Sequence, residues 1–142
     1  MTRVNVIPVS ELSDQWLIAE YRELPRCIKQ DIDTSDGIYM TYCLCKGHVK
    51  WAKTHSFYLF DRYADICEEM RYRGFEVNYP AYKLEEDYYG YTLVKNNHNY
   101  IPTAEAIIIN RKRLIEKYKM KPDFYKWTKR NKPEWITKGE KK

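Results

Sequence analysis

A charged cluster near the N-terminus combines one carboxylate with two guanidinium groups. In the stretch AEYRELPR, Arg22 and Arg26 stand four residues apart with Glu23 between them. On a helix the three side chains share one face. Arginine forks fit phosphate oxygens, and nearby positive charge keeps a carboxylate ionised, so that it could accept a proton or stabilise a developing cation. The alternative is a solvated helix face whose Glu23–Arg26 pair contributes roughly 0.2–0.5 kcal/mol.

The chain start offers a second reactive group. Thr2 is small, so removal of Met1 is expected, and Thr2 then becomes the first residue. A free α-amine has a pKa of about 7.7–8.0, so part of it is unprotonated at neutral pH. Such an amine can attack an electrophilic carbon and form a Schiff base. The alternative is a chain end that has no chemical role.

The positive charge is concentrated at one end of the 142-residue chain. The formal net charge is +5, but residues 111–142 hold 13 Lys and Arg against 4 Asp and Glu. Residues 1–110 hold 12 against 16. This asymmetry predicts a polyanionic partner, most commonly nucleic acid, or alternatively a basic tail that only aids solubility.

Targeting and metal-binding motifs are not found in the sequence. The start, MTRVNVIPVSEL, has no apolar run of a signal peptide or membrane span, so the cytosol of a cell or of an infected host is the expected location. In that compartment the cysteines should be reduced thiols. No metal or other cofactor is expected, because a four-ligand site cannot be completed from Cys43, Cys45 and His48, and the remaining cysteines are Cys27 and Cys67.

Three segments have the apolar spacing of helices, which predicts an all-α fold. The first runs from residue 10 or 13 towards residue 32, with Ser10 or Ser13 as its cap and a kink at Pro25. The second runs from about residue 57 to 73 and ends at Gly74. The third runs from residue 102 or 103 to about 118.

The remaining segments are predicted to be non-helical. Residues 75–101 are expected to form an ordered extended wrap, and residues 38–53 an irregular connection. We therefore predict a single compact domain over residues 1–130, built from three main helices with long extended connections. Residues 131–142 are predicted to be a basic, frayed C-terminal tail.

Several blocks, in the same order along the chain, resemble the phage-type pyrimidine dimer DNA glycosylases, also called dimer-specific endonuclease V. The N-terminal block MTRVNVIPVSELSDQWLIAEYRELPR is the most specific of them. The supporting blocks are KGHVKW, RGF at 73–75, YIP at 100–102, RLIEK at 113–117 and PDFYKW at 122–127.

The resemblance implies a compact all-α, metal-free glycosylase that is also an abasic-site lyase. Thr2 matches the family's nucleophile, whose α-amine attacks C1′ of the damaged nucleotide. Glu23 matches the catalytic carboxylate, which stabilises the cationic sugar or imine and assists removal of the C2′ proton before β-elimination. The implied partner is damaged double-stranded DNA. The protein is expected to be a monomer that needs no protein partner and no membrane. The candidate DNA contacts are Arg3, Gln15, Arg22, Arg26, Arg113, Lys117, Tyr125 and Lys126.

The sequence departs from the family pattern at several positions. Trp16 stands where the best-known members have a histidine, and its indole could stack on a base or narrow the pocket. The loop before KGHVKW is shorter, and the entry to the second helix at residues 53–56 differs. In the C-terminal block, aromatic rings could stack on bases, each contributing about 1–3 kcal/mol, or pack in the core. For Phe124, core packing is expected.

Two alternatives to dimer repair follow from these departures. The protein could be a glycosylase and lyase for another base lesion, because the departures concern recognition and not the amine and carboxylate. It could also be a non-catalytic DNA-binding protein of the same fold, given the basic C-terminal third and the altered position 16.

Overall fold

The computed structural model describes residues 4–29, 40–44, 47–95 and 99–140. For residues 29, 89–95 and 139–140 it describes the backbone alone. These residues form helices and no β-strand, which confirms the all-α class. A short 3₁₀ turn, Val9–Glu11, precedes the first helix. The helices are α1 Asp14–Lys29, α2 His48–Thr54, α3 Ser56–Arg73, α4 Ala81–Lys95, α5 Ala104–Met120 and α6 Glu134–Glu140.

Local chemistry marks the start of two of the three predicted helices and the end of the other. Ser13 caps α1, since its Oγ accepts the Trp16 amide at 3.1 Å. Thr103 caps α5, since its Oγ1 accepts the Ala106 amide at 3.1 Å. Gly74 ends α3 with φ at +89°, a left-handed conformation that glycine adopts without strain. The N-cap position of α3 is His55, and no side chain caps the start of this helix.

The core is centred on α1 and α3. Their buried aliphatic side chains meet along one face, and the rings of Tyr21 and Tyr63 stack at 5.7 Å. The α1 helix continues through Pro25 to its last turn, where the Lys53 Nζ donates to the Ile28 carbonyl at 2.7 Å. This contact satisfies a C-terminal carbonyl of α1. The fully buried aliphatic residues of the two helices are Leu17, Leu24, Ile28, Leu59 and Ile66.

The extended wrap predicted for residues 75–101 is wrong in its middle, where α4 forms. Pro80 starts this helix, and its carbonyl accepts the Lys83 amide at 3.0 Å. Of the side chains described in α4, Leu84 alone is fully buried. The apolar repeat is therefore weak, so packing on α3 and α1 supports a helix that periodicity did not reveal.

Two further helices replace segments that were predicted to be irregular. In α2, Trp51 and Ala52 are fully buried, so the expectation of an irregular connection is wrong for residues 48–53. The frayed C-terminal end is contradicted by α6, in which Ile136 is buried and the Trp135 Nε1 donates to Glu11 Oε1 at 2.7 Å. A seven-residue segment is too short to hold a helix by itself, and tertiary contacts stabilise both of these helices.

None of the helices described is both long enough and apolar enough to traverse a lipid bilayer.

Candidate active site

The α1 helix presents the charged cluster at the surface. The Arg26 Nη1 lies 3.2 Å from Glu23 Oε1, and the Arg26 side chain is 70% exposed whereas that of Glu23 is 15% exposed. Arg22 is also exposed. The carboxylate is thus shielded while the guanidinium faces solvent. Because an exposed ion pair contributes at most about 1 kcal/mol, a phosphate could displace Glu23 from Arg26 at little cost.

The N-terminal segment is buried and held by side chains from distant parts of the chain. Val4, the first residue described, donates its amide to His48 Nε2 at 3.1 Å and accepts the Tyr42 hydroxyl on its carbonyl at 2.9 Å. The Val6 amide donates to Asn110 Oδ1 at 2.7 Å. The backbone that leads to the chain start therefore has a fixed path.

A fully buried polar network connects this segment to α1. The Asn5 Nδ2 donates to Glu20 Oε1 at 2.7 Å, and the Asn110 Nδ2 donates to Asn5 Oδ1 at 2.8 Å. Arg62 binds both oxygens of Glu20, at 2.8 Å and 3.1 Å, and also donates to the Ile7 carbonyl. Glu20 lies three residues before the catalytic candidate on the same helix. The network thus fixes the N-terminal segment relative to the charged face of α1.

The electrostatics of this network favour a permanent ion pair. Burial opposes the charged form of Arg62, but attraction and hydrogen bonding from Glu20 offset burial, and the pKa of Arg62 is raised. Burial also raises the pKa of Tyr58 to about 12, and it raises the pKa of Tyr42. Both phenols therefore stay protonated as donors, to the Asn5 and Val4 carbonyls respectively.

The C-terminal part of α5 and the loop after it form a basic cleft of about 420 Å³. Burial and the neighbouring Arg113 lower the pKa of Lys117. Phe124 is 56% exposed, so the expectation that it packs in the core is wrong. The residues lining the cleft are Arg113, Glu116, Lys117, Met120, Lys121, Phe124 and Tyr125. The cations, the exposed Phe124 ring and the half-buried Tyr125 ring together suit a nucleic-acid strand.

Trp16 is part of the core and not of an open pocket. It is 6% exposed, and its ring centroid lies 4.7 Å from that of Tyr125 and 6.0 Å from that of Trp127. The expectation that this indole stacks on a base is therefore not met. The reason is tertiary: the C-terminal loop folds back over the first turn of α1.

Gln15 and Asp14 hold that loop in place. The Gln15 Oε1 accepts the Lys126 amide at 3.0 Å, and the Asp14 amide donates to the Lys126 carbonyl at 2.7 Å. The Asp14 carboxylate also accepts the Thr128 hydroxyl at 2.6 Å and Arg73 Nη1 at 2.9 Å. Gln15, predicted to contact DNA, thus has a structural hydrogen bond, whereas the Lys126 side chain beside it is exposed.

The structure therefore places the predicted site residues in two groups. The first is the α1 face with Glu23, Arg22 and Arg26, and the second is the basic cleft that includes Arg113, Lys117 and Tyr125. Thr2 and Arg3 lie outside the described residues. Sequence reasoning missed the residues that support the N-terminal segment, although His48 falls in the quoted block KGHVKW. These supporting residues are Asn5, Glu20, Tyr42, His48, Arg62 and Asn110.

Within the described ranges, no three His, Cys, Asp or Glu side chains are placed to hold a metal ion. The His48 Nδ1 lies 2.8 Å from the Cys43 carbonyl, so the ring is engaged with backbone groups. Cys45 lies outside the described residues.

A small helical domain with a carboxylate between arginines and a basic, aromatic cleft has the features of a nucleic-acid-binding protein. Comparison with known protein families defines the class further. The sequence pattern of the family described as pyrimidine dimer DNA glycosylase matches residues 1–83. This match covers more than half of the chain, and the chain belongs to that family. The matched region includes α1 and the residues on either side of α1, whereas the basic cleft on α5 lies beyond this region.

Proposed function

We propose that this protein excises pyrimidine dimers from duplex DNA as a glycosylase and then cuts the strand at the abasic site as a lyase. Membership of the pyrimidine dimer DNA glycosylase family supports the first activity. The observation that carries the second is the hydrogen-bonded connection from Asn5 to Glu20, which ties the segment after Thr2 to the helix of Glu23. In the proposed reaction the amine and the carboxylate act on the same sugar, and holding them beside it would supply proximity.

The proposed reaction uses two groups of the chain. The unprotonated α-amine of Thr2 attacks C1′, and the C1′–N1 bond breaks with its electron pair leaving on the pyrimidine, which takes up a proton and stays joined to its neighbour through the cyclobutane ring. The deoxyribose ring then opens as the C1′–O4′ bond breaks and O4′ is protonated, which leaves an imine between Thr2 and C1′. The cationic sugar is stabilised by the Glu23 carboxylate.

Strand cleavage follows by β-elimination. Glu23 accepts the C2′ proton, the electrons of that bond form the C2′–C3′ double bond, and the 3′ phosphate leaves with the C3′–O bond pair. Water then hydrolyses the imine and releases the amine. Arg3, Arg22 and Arg26 would bind phosphates around the damaged nucleotide, and the Arg113 and Lys117 side chains would bind the backbone farther along the duplex.

Borohydride trapping tests the covalent step. Reduction of the imine should join the wild-type protein to DNA that carries an abasic site, and acetylation of the N-terminus or retention of Met1 should abolish the adduct. Glu23→Gln should keep DNA binding and lose strand cleavage, whereas Glu85→Gln, which changes an exposed carboxylate on α4, should cleave normally. A free N-terminus that gives no adduct would refute the Schiff-base mechanism.

The lesion is tested separately by incision of duplexes that carry a thymine dimer, a preformed abasic site or an oxidised base. Cleavage of the dimer duplex supports the proposed substrate. If the abasic duplex is cleaved and the dimer duplex is not, the protein is a lyase directed to another lesion. Salt-sensitive binding without any cleavage would indicate a non-catalytic DNA-binding protein.

A further inference from the structure

His48 has a geometry that fixes which of its ring nitrogens carries the proton. Its Nε2 lies 3.1 Å from the Val4 amide nitrogen, and its Nδ1 lies 2.8 Å from the Cys43 carbonyl oxygen. A backbone amide can only donate and a carbonyl can only accept. The Nε2 must therefore be the acceptor and the Nδ1 must carry the hydrogen, so the ring is neutral.

Packing around His48 holds its ring in the orientation that makes these two hydrogen bonds. The side chain is buried, and the Trp51 ring stacks on it with centroids 5.9 Å apart. The Tyr42 ring lies in a T-shaped arrangement with it, with centroids 5.7 Å apart, and the Tyr42 hydroxyl donates to the Val4 carbonyl at 2.9 Å. Val4 is thus bound through both its amide and its carbonyl, and it is itself fully buried.

We propose that His48 is a positioning residue for the nucleophilic amine of Thr2, acting through its hydrogen bond with the Val4 amide. This inference rests on the proposed function. Two residues of extended chain span at most about 7 Å, so the covalent chain keeps the amine within about that distance of the Val4 amide. A displacement of about 1 Å at a reacting group can slow a reaction about 100-fold. Loss of the anchor should therefore slow imine formation without weakening DNA binding.

Two substitutions separate this role from simple packing. His48→Gln keeps an acceptor oxygen on a side chain of similar reach, and His48→Met fills the space without an acceptor of comparable strength. His55→Met is the matched control, since His55 is also buried against the Trp51 ring, and its Nδ1 lies 2.7 Å from the Trp51 carbonyl. The control changes a histidine in the same aromatic cluster but leaves the Val4 hydrogen bond intact.

The experiment measures single-turnover borohydride trapping on abasic-site DNA, the Kd for an uncleavable duplex and the urea midpoint of each variant. We expect His48→Met to trap about 10–100-fold more slowly than wild type at unchanged Kd, with His48→Gln and His55→Met within about threefold. The ¹⁵N shifts of the wild-type His48 ring should show hydrogen on Nδ1 and none on Nε2.

Each contrary result has a defined meaning. Equal trapping by His48→Met and wild type overturns the inference, as does an Nε2-protonated ring. Equal slowing in His55→Met also overturns it, because the effect would then belong to the aromatic cluster as a whole. If His48→Met fails to fold, slow trapping by a folded His48→Gln overturns it. Absence of trapping in wild type refutes the proposed chemistry itself, and the positioning role fails with it.

Discussion

Replacing Glu20 by glutamine is expected to lower the free energy of unfolding by about 3–5 kcal/mol. The side chain is fully buried, and its two oxygens accept from Asn5 and from Arg62, at 2.7–3.1 Å. Glutamine replaces one of these acceptors with an NH₂ group, which is a donor facing donors. Arg62 then remains charged and buried without a counter-charge, which is the costly half of breaking a buried ion pair.

Urea denaturation followed by tryptophan fluorescence measures this change. For a slope of about 2 kcal/mol per molar, the midpoint should fall by about 1.5–2.5 M. The control is Glu116→Gln, which changes a side chain that is 57% exposed and whose ion pair with Arg113 is long, at 3.9 Å. The urea midpoint of this variant should move by less than about 0.3 M. A Glu20→Gln midpoint that moves no further than the control would refute the description of this pair as buried and essential to the fold.

A double variant tests why the cost arises. Glu20→Met with Arg62→Met removes both charges, so no buried ion is left uncompensated. We expect it to be more stable than Glu20→Gln but less stable than wild type, because Asn5 and the Ile7 carbonyl lose their partners. A double variant less stable than Glu20→Gln would show that lost packing, and not an unpaired charge, determines the cost.

Three further variants address the basic cleft, the aromatic core and pH. Lys117→Met should leave the free energy of unfolding unchanged or higher, because a lowered pKa means that the charged form of Lys117 destabilises the folded state at pH values below its usual pKa. The slope of log K for DNA against log salt concentration should also become shallower by about 1. Trp16→Ala should cost about 3–5 kcal/mol by urea denaturation, since the indole packs on Tyr125, and unaltered stability would show that the ring is not core. Burial would raise the pKa of Glu69, but hydrogen bonds from Arg130 and Arg73 outweigh burial and lower it. Glu69→Gln should therefore lower the free energy of unfolding at neutral pH, and the difference in that free energy from wild type should shrink below about pH 4.3.

The sequence by itself determined the helices whose ends are marked by local chemistry. Ser13, Thr103 and Gly74 act on backbone groups within one turn, so their positions could be interpreted without a fold. The shared face of Arg22, Glu23 and Arg26 follows in the same way from helical spacing, and the N-terminal blocks that resemble the glycosylases indicated the family that the match over residues 1–83 shows.

Only the tertiary structure decided which side chains are buried. Trp16 lies in the core because Tyr125, more than a hundred residues later, folds against it, and Phe124 beside that tyrosine remains exposed. The α4 and α6 helices form on surfaces supplied by other elements. Likewise, the contact of Asn5 with Glu20 and of Val4 with His48 joins segments that no local pattern relates. Burial and pairing depend on which distant segments meet, and that is settled when the whole core packs.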